Sequence, residues 1–241
     1  MVFSKSNILI GAIICLCMSF ALFEIKEEYF ISSISKSFIV PLFTLLYIIN
    51  VKRKSPYFFG FLILFSVSEL MIFAEYYFID FYPDFDVYYI IGNLLYIFAY
   101  ILLTLEVCKS LDYKKVFKNY KAHLFILTLL NVYMVYVLIT IVTPYLIGTV
   151  LIVFELIYNI IMLLLLTLSL IAYFYNDNIK SLSIFLGSLC IVFSEVIQIA
   201  YYYITDQDFL NYISTILFVL AFCFYYYYSI ISLKKDSKAV V

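Results

Sequence analysis

Residues 57–80 read YFFGFLILFSVSELMIFAEYYFID, and the carboxylate at Glu69 inside this apolar run decides how the chain is read. A helix of about 20 apolar residues spans the hydrocarbon core of a bilayer. An ionisable side chain within such a helix is costly and marks a functional site by default. The stretch also has an echo. Residues 68–80 (SELMIFAEYYFID) align without a gap on 194–206 (SEVIQIAYYYITD), an offset of 126, matching at Ser68/Ser194, Glu69/Glu195, Ala74/Ala200, Tyr76/Tyr202, Tyr77/Tyr203 and Asp80/Asp206.

Working outward, the 241 residues are 66% hydrophobic and 13% charged, too little polar surface for a soluble domain of this size. Apolar runs fall at 7–23, 37–51, 57–79, 87–107, 122–143, 146–174, 181–204 and 209–231. The first follows Lys5 like the core of a signal peptide, but no small-residue cleavage site follows it, so it is kept as a helix. The expected fold is all-α, a polytopic bundle of eight transmembrane helices forming one domain over 1–233, with a short cytoplasmic tail at 234–241. The 37–51 run is short and has Pro41 near its start, and the 146–174 run follows Pro144.

Charge sorting sets the expected topology. With eight spans, one face collects Lys5, Lys52, Arg53, Lys54, Lys109, Lys114, Lys115, Lys118, Lys121, Lys180, Lys234, Lys235 and Lys238. The other holds only Lys26 and Lys36, beside Glu24, Glu27, Glu28, Asp80, Asp84, Asp86, Asp206 and Asp208. Of 15 cations, 13 on one side and 2 on the other is a positive-inside pattern that places both termini in the cytoplasm. Helices 3–4 and 7–8 then cross in the same direction, giving a parallel internal repeat.

Glu69 and Glu195 each lie eleven residues before an aspartate, or ~16 Å, near the midplane. Glu155, eleven residues after Pro144, is expected at the same depth. Helical spacing adds Ser66, Tyr76, Gln198 and Tyr202 to these carboxyls, with Asn93, Tyr96, Tyr100, Asn131, Tyr158 and Asn159 from neighbouring helices. In a low-dielectric cavity, desolvation and like charge keep at least one of two carboxyls protonated, so one donates a proton while the other serves as base. The plain alternative is that protonated Glu, Asn and Gln tie helices together at about 0.6–2 kcal/mol each. Glu75 and Glu106 lie nearer helix ends and are expected to snorkel or face water.

His123 stands alone without thiol or imidazole partners in sequence, so no metal site is expected. The five cysteines show no ligand spacing, and no glycine-rich phosphate loop or catalytic serine motif occurs. No cofactor and no nucleic-acid partner is expected; oligomeric state stays open. Tyr225–Tyr228 are expected in an interfacial aromatic belt.

From about residue 37 the pattern resembles the YhhN family of eight-helix membrane proteins, whose characterised members include lysoplasmalogenases. The resemblance is carried by Val40-Pro41-Leu42, Ser68-Glu69, Gly92-Asn93-Leu94-Leu95-Tyr96, Tyr158 and Ser194-Glu195. Both family aspartates are glutamates here, and Val40 and Asn93 stand where the family has lysine and histidine. The resemblance implies hydrolysis of the vinyl-ether bond of a lysolipid in a bacterial inner membrane. Glu69 and Glu195 would be catalytic, with Ser68, Asn93, Tyr96, Glu155, Tyr158, Ser194 and Gln198 supporting. The competing reading is a lipid-binding protein or carrier. The runs lack the Gly/Pro breaks common at transport sites, which favours the enzyme.

Overall fold

The computed structural model describes residues 5–78, 87–146, 150–205 and 207–238, with backbone alone for 72, 74–78, 87–89 and 232–238. The expectations for Asp80, Asp84, Asp86 and Asp206, and for the side chains of Ala74, Glu75, Tyr76 and Tyr77, lie outside the described residues. Among those described, every regular element is a helix: α1 Lys5–Ile25, α2 Tyr29–Ser37, α3 Ile39–Asn50, α4 Pro56–Phe78, α5 Val87–Cys108, α6 Tyr113–Asn119, α7 Lys121–Leu146, α8 Leu151–Asn176, α9 Ile179–Tyr203 and α10 Asp208–Lys238. Among the described residues, seven segments are long and apolar enough to cross a membrane: α1, α2 with α3, Ile90–Cys108 of α5, α7, α8, α9 and Asp208–Ile231 of α10.

The chain divides into two compact units, Met1–Ala99 with Ser229–Val241, and Tyr100–Tyr228. In the first, α1 packs on α2 and α3, and α3 packs on α4. Ile39, Val40, Leu46, Phe58, Phe61 and Phe65 are almost wholly buried there. The Tyr47 and Phe58 rings meet edge to face at 5.2 Å, as do Phe61 and Phe65 at 5.7 Å. In the second unit α8 packs between α7 and α9, and Met162, Leu165, Ile191, Phe222 and Tyr225 form its core. A Cβ at Gly187 would stand 2.5 Å from the Tyr225 ring, so that helix position has no room for a side chain. The outer face of α7 presents Phe125 and Tyr136, each 68% exposed, with Leu129, Val132 and Tyr133. Such a continuous apolar face is what lipid solvates and water does not.

Local chemistry explains the helix limits. The expected 37–51 run is the second half of a longer span that starts at Tyr29. Pro41 has no N–H to offer the Ser37 carbonyl, and α2 gives way to α3 at Phe38. The polar residues that hid α2 from a hydropathy reading face inward. The Ser32 hydroxyl donates to the buried Glu24 carboxylate, and Ser35 meets Ser19 at 3.0 Å. This span is therefore interrupted, contrary to the expectation of unbroken runs. Pro144 does not start a helix either; it lies inside the last turn of α7, and α8 begins at Leu151. Between α8 and α9 the chain turns at Asp177, in the left-handed region with φ 41°. Asn178 then caps α9 by accepting the Ser181 amide at 2.9 Å.

Candidate functional site

In the first unit, α4 carries Ser66, Ser68 and Glu69 on different faces. The Ser68 hydroxyl donates to the Gly92 carbonyl of α5 at 2.8 Å. A Cβ at Gly92 would lie 3.7 Å from that oxygen. Tyr96, one turn further along α5, donates its hydroxyl to Glu69 Oε1 at 2.8 Å. Its ring is held by Phe65, edge to face at 4.8 Å. Ser66 turns instead to Thr44 of α3, 2.8 Å away, and so does not accompany Glu69. Asn93 is half-buried on α5, and Val40 is fully buried in α3.

In the second unit, the Ser194 hydroxyl donates to the Ser214 carbonyl of α10 at 2.7 Å. Glu195 accepts the hydroxyl of Tyr100 at 3.2 Å. Tyr100 is fully buried, and its ring meets Tyr158 edge to face at 5.7 Å. Glu195, Tyr100 and Tyr158 thus form one polar column from α9, α5 and α8. Gln198 donates its amide to Tyr202 at 3.3 Å, and Tyr202 is 64% exposed. Asn131 ties α7 to α8 by donating to Thr167 at 2.8 Å.

Glu155 is the fifth residue of α8, about 6 Å along it. The later helix start places it nearer the span's end than its distance from Pro144 implied. It is buried, with Asn159 donating to its Oε1 at 3.4 Å. The Asn159 Oδ1 is itself buried without a hydrogen-bond partner among the described residues.

Two residues gained importance that spacing alone did not give them. Tyr100 is the partner of Glu195 across 95 residues of sequence. Glu106, expected to snorkel or face water, is buried, ion-paired with Lys109 at 2.9 Å and bonded by Tyr228 at 3.1 Å. Tyr225 and Tyr228 correspondingly face inward, and of that run Tyr227 is the exposed one. Among the described residues no group of three or more His, Cys, Asp or Glu side chains converges as a metal site. His123 packs edge to face between Tyr120 and Phe174.

Half-buried carboxyls bonded by phenols, in a chain whose described residues include seven helices long and apolar enough to cross a membrane, define an all-α multi-pass membrane protein. Comparison of the chain with protein-family models, curated proteins and solved structures finds no match.

Proposed function

We propose that this is an eight-span membrane hydrolase of ether-linked lysolipids, resembling lysoplasmalogenases, with Glu69 and Glu195 as its acid–base residues. Both termini would be cytoplasmic, with α4–α5 and α9–α10 as the copies of a parallel repeat. The observation that carries the reading is that each carboxyl holds a tyrosine hydroxyl, Tyr96 at 2.8 Å and Tyr100 at 3.2 Å. A phenol that donates to a carboxyl stabilises its ionised form, and it supplies a proton path when that carboxyl has given its own away. In a vinyl ether, a protonated carboxyl delivers its proton to the alkene carbon β to the ether oxygen. A carboxylate directs water to the oxygen-bearing carbon, and the hemiacetal collapses to a fatty aldehyde and the glycerophospho-alcohol. No cofactor is needed for that balance.

The test is aldehyde release from a lysoplasmalogen by the purified protein in detergent. Glu69→Gln and Glu195→Gln are each expected to lower the rate by about 10²–10⁴, the usual contribution of general acid–base catalysis. Absence of turnover in the folded native protein would overturn the assignment.

A second reading, a lipid-binding protein or carrier, draws on the interrupted α2–α3 span beside the buried Glu24–Ser32 bond. Broken helices beside polar groups are common at transport sites. It predicts uptake or lipid binding without aldehyde release.

A further inference from the structure

At one end of the second unit, four helices enclose a cleft of about 100 Å³ that the hydrolase reading does not use. Glu106 and Ser110 reach it from the end of α5, Asn176 from the last residue of α8, Lys180 and Ser181 from the first turn of α9, and Tyr228 from α10. Three membrane-length segments stop or start here, at Cys108, Asn176 and Ile179, so the cleft lies at headgroup depth.

We propose that this cleft binds a phosphate group, carried by an anionic lipid headgroup or by a free phosphate ester. The proposal stands apart from the hydrolase reading, because none of the acid–base residues takes part. Lys180 supplies the cation, its ammonium set over the Tyr228 ring at 4.9 Å from the centroid. The first turn of α9 supplies an amide. Asn178 takes the Ser181 N–H, and the N–H of Lys180 precedes any carbonyl a full turn back within the helix, the arrangement that favours anions. Asn176 and Ser110, 3.2 Å apart, add neutral hydrogen-bonding groups.

Glu106 lines the same cleft, yet its charge is compensated where it stands. One oxygen accepts from Lys109 at 2.9 Å, the other from the Tyr228 hydroxyl at 3.1 Å. That second bond fixes the ring beneath Lys180, so Glu106 positions the cation at second hand. The volume equals roughly three waters at ~30 Å³ each, space for one phosphate with its ester arm directed outward.

The experiment is calorimetric titration of the lipid-stripped, full-length protein in detergent with dihexanoyl phosphatidate, inorganic phosphate and dihexanoylglycerol. Saturable binding of phosphatidate and none of the phosphate-free glyceride is expected. Lys180→Gln is expected to weaken binding about tenfold or more, the loss of one charge-assisted bond. Lys180→Arg is expected to hold within about threefold because the charge stays. Lys118→Gln, which removes the same charge from an exposed position on α6, is expected to change nothing. Competition by inorganic phosphate assigns the site to the phosphate itself, and binding of phosphatidate alone assigns it to the lipid. Where Lys180→Gln does not fold, Ser110→Leu obstructs the cleft without altering charge and carries the same expectation. Non-saturable binding, or equal losses in Lys118→Gln and Lys180→Gln, would show diffuse surface attraction and overturn the proposal.

Discussion

Gly187 and Gly11 sit in helices of the same kind but meet different surroundings. A methyl group at 187 would press on the buried Tyr225 ring at 2.5 Å, whereas nothing lies within 4 Å of one at 11. Gly187→Ala is therefore expected to lower thermal stability in detergent by about 1–3 kcal/mol, the usual cost of overpacking. Gly11→Ala is expected to leave stability unchanged or raise it slightly, as helix propensity favours alanine by up to about 1 kcal/mol. Equal melting temperatures for the two variants would contradict the close approach. At the site, Tyr96→Phe and Tyr100→Phe each remove one hydroxyl that bonds a carboxyl. Each is expected to cut aldehyde release about tenfold, less than loss of the carboxyl itself, through the net worth of a charge-assisted hydrogen bond. Measuring both rates beside the Gln variants checks that order. Glu69 and Glu195 stood out in sequence because a carboxylate in an apolar run is conspicuous. Tyr100 was placed among the midplane groups but without its partner, and Glu106 was expected near a helix end. One is a tyrosine among 26, and the other owes its burial to Tyr228, 122 residues away.

At the scale of elements, hydropathy located the long helices because each must present apolar side chains to lipid along its length. It failed where polar groups are satisfied inside the protein. The serines of α2 read as a loop, yet Ser32, Ser35 and Ser37 are buried, with Ser32 bonded to Glu24, Ser35 to Ser19 and the Ile31 carbonyl, and Ser37 to the Ile34 carbonyl. Proline misled in the other direction at Pro144, where the apolar run was expected to end at 143 and the last turn of α7 continues to Leu146. Pro41 does break a span, by withholding an N–H from Ser37. Pro41→Ala restores that donor and is expected to raise thermal stability by about 1 kcal/mol, the worth of one backbone hydrogen bond. Under the carrier reading the same variant lowers transport, so melting and uptake measured together separate a passive kink from a working one.

For the whole molecule, the lysine distribution makes the firmest test of topology. With cysteines replaced by serine, single cysteines at Lys118 and at Lys26 are expected to react with a membrane-impermeant maleimide from opposite sides of sealed vesicles. Labelling from the same side would remove the eight-span arrangement. That expectation could be drawn from sequence because topogenic charge is a property of linear order. Which helix faces meet could not, since it depends on rotation about each axis.

The serine bonds to backbone carbonyls have a consequence for assembly. Lipid chains are as apolar as leucine, so hydrocarbon side chains gain little by choosing one neighbour over another. Ser68 on Gly92 and Ser194 on Ser214 each bind a helix to the one that follows it in the chain. Sliding either helix by one residue turns the hydroxyl away by about 100° and shifts it about 1.5 Å. Each pair thus has a single alignment, available as soon as its second helix is in place, which for α4 and α5 is before α7 to α10 arrive.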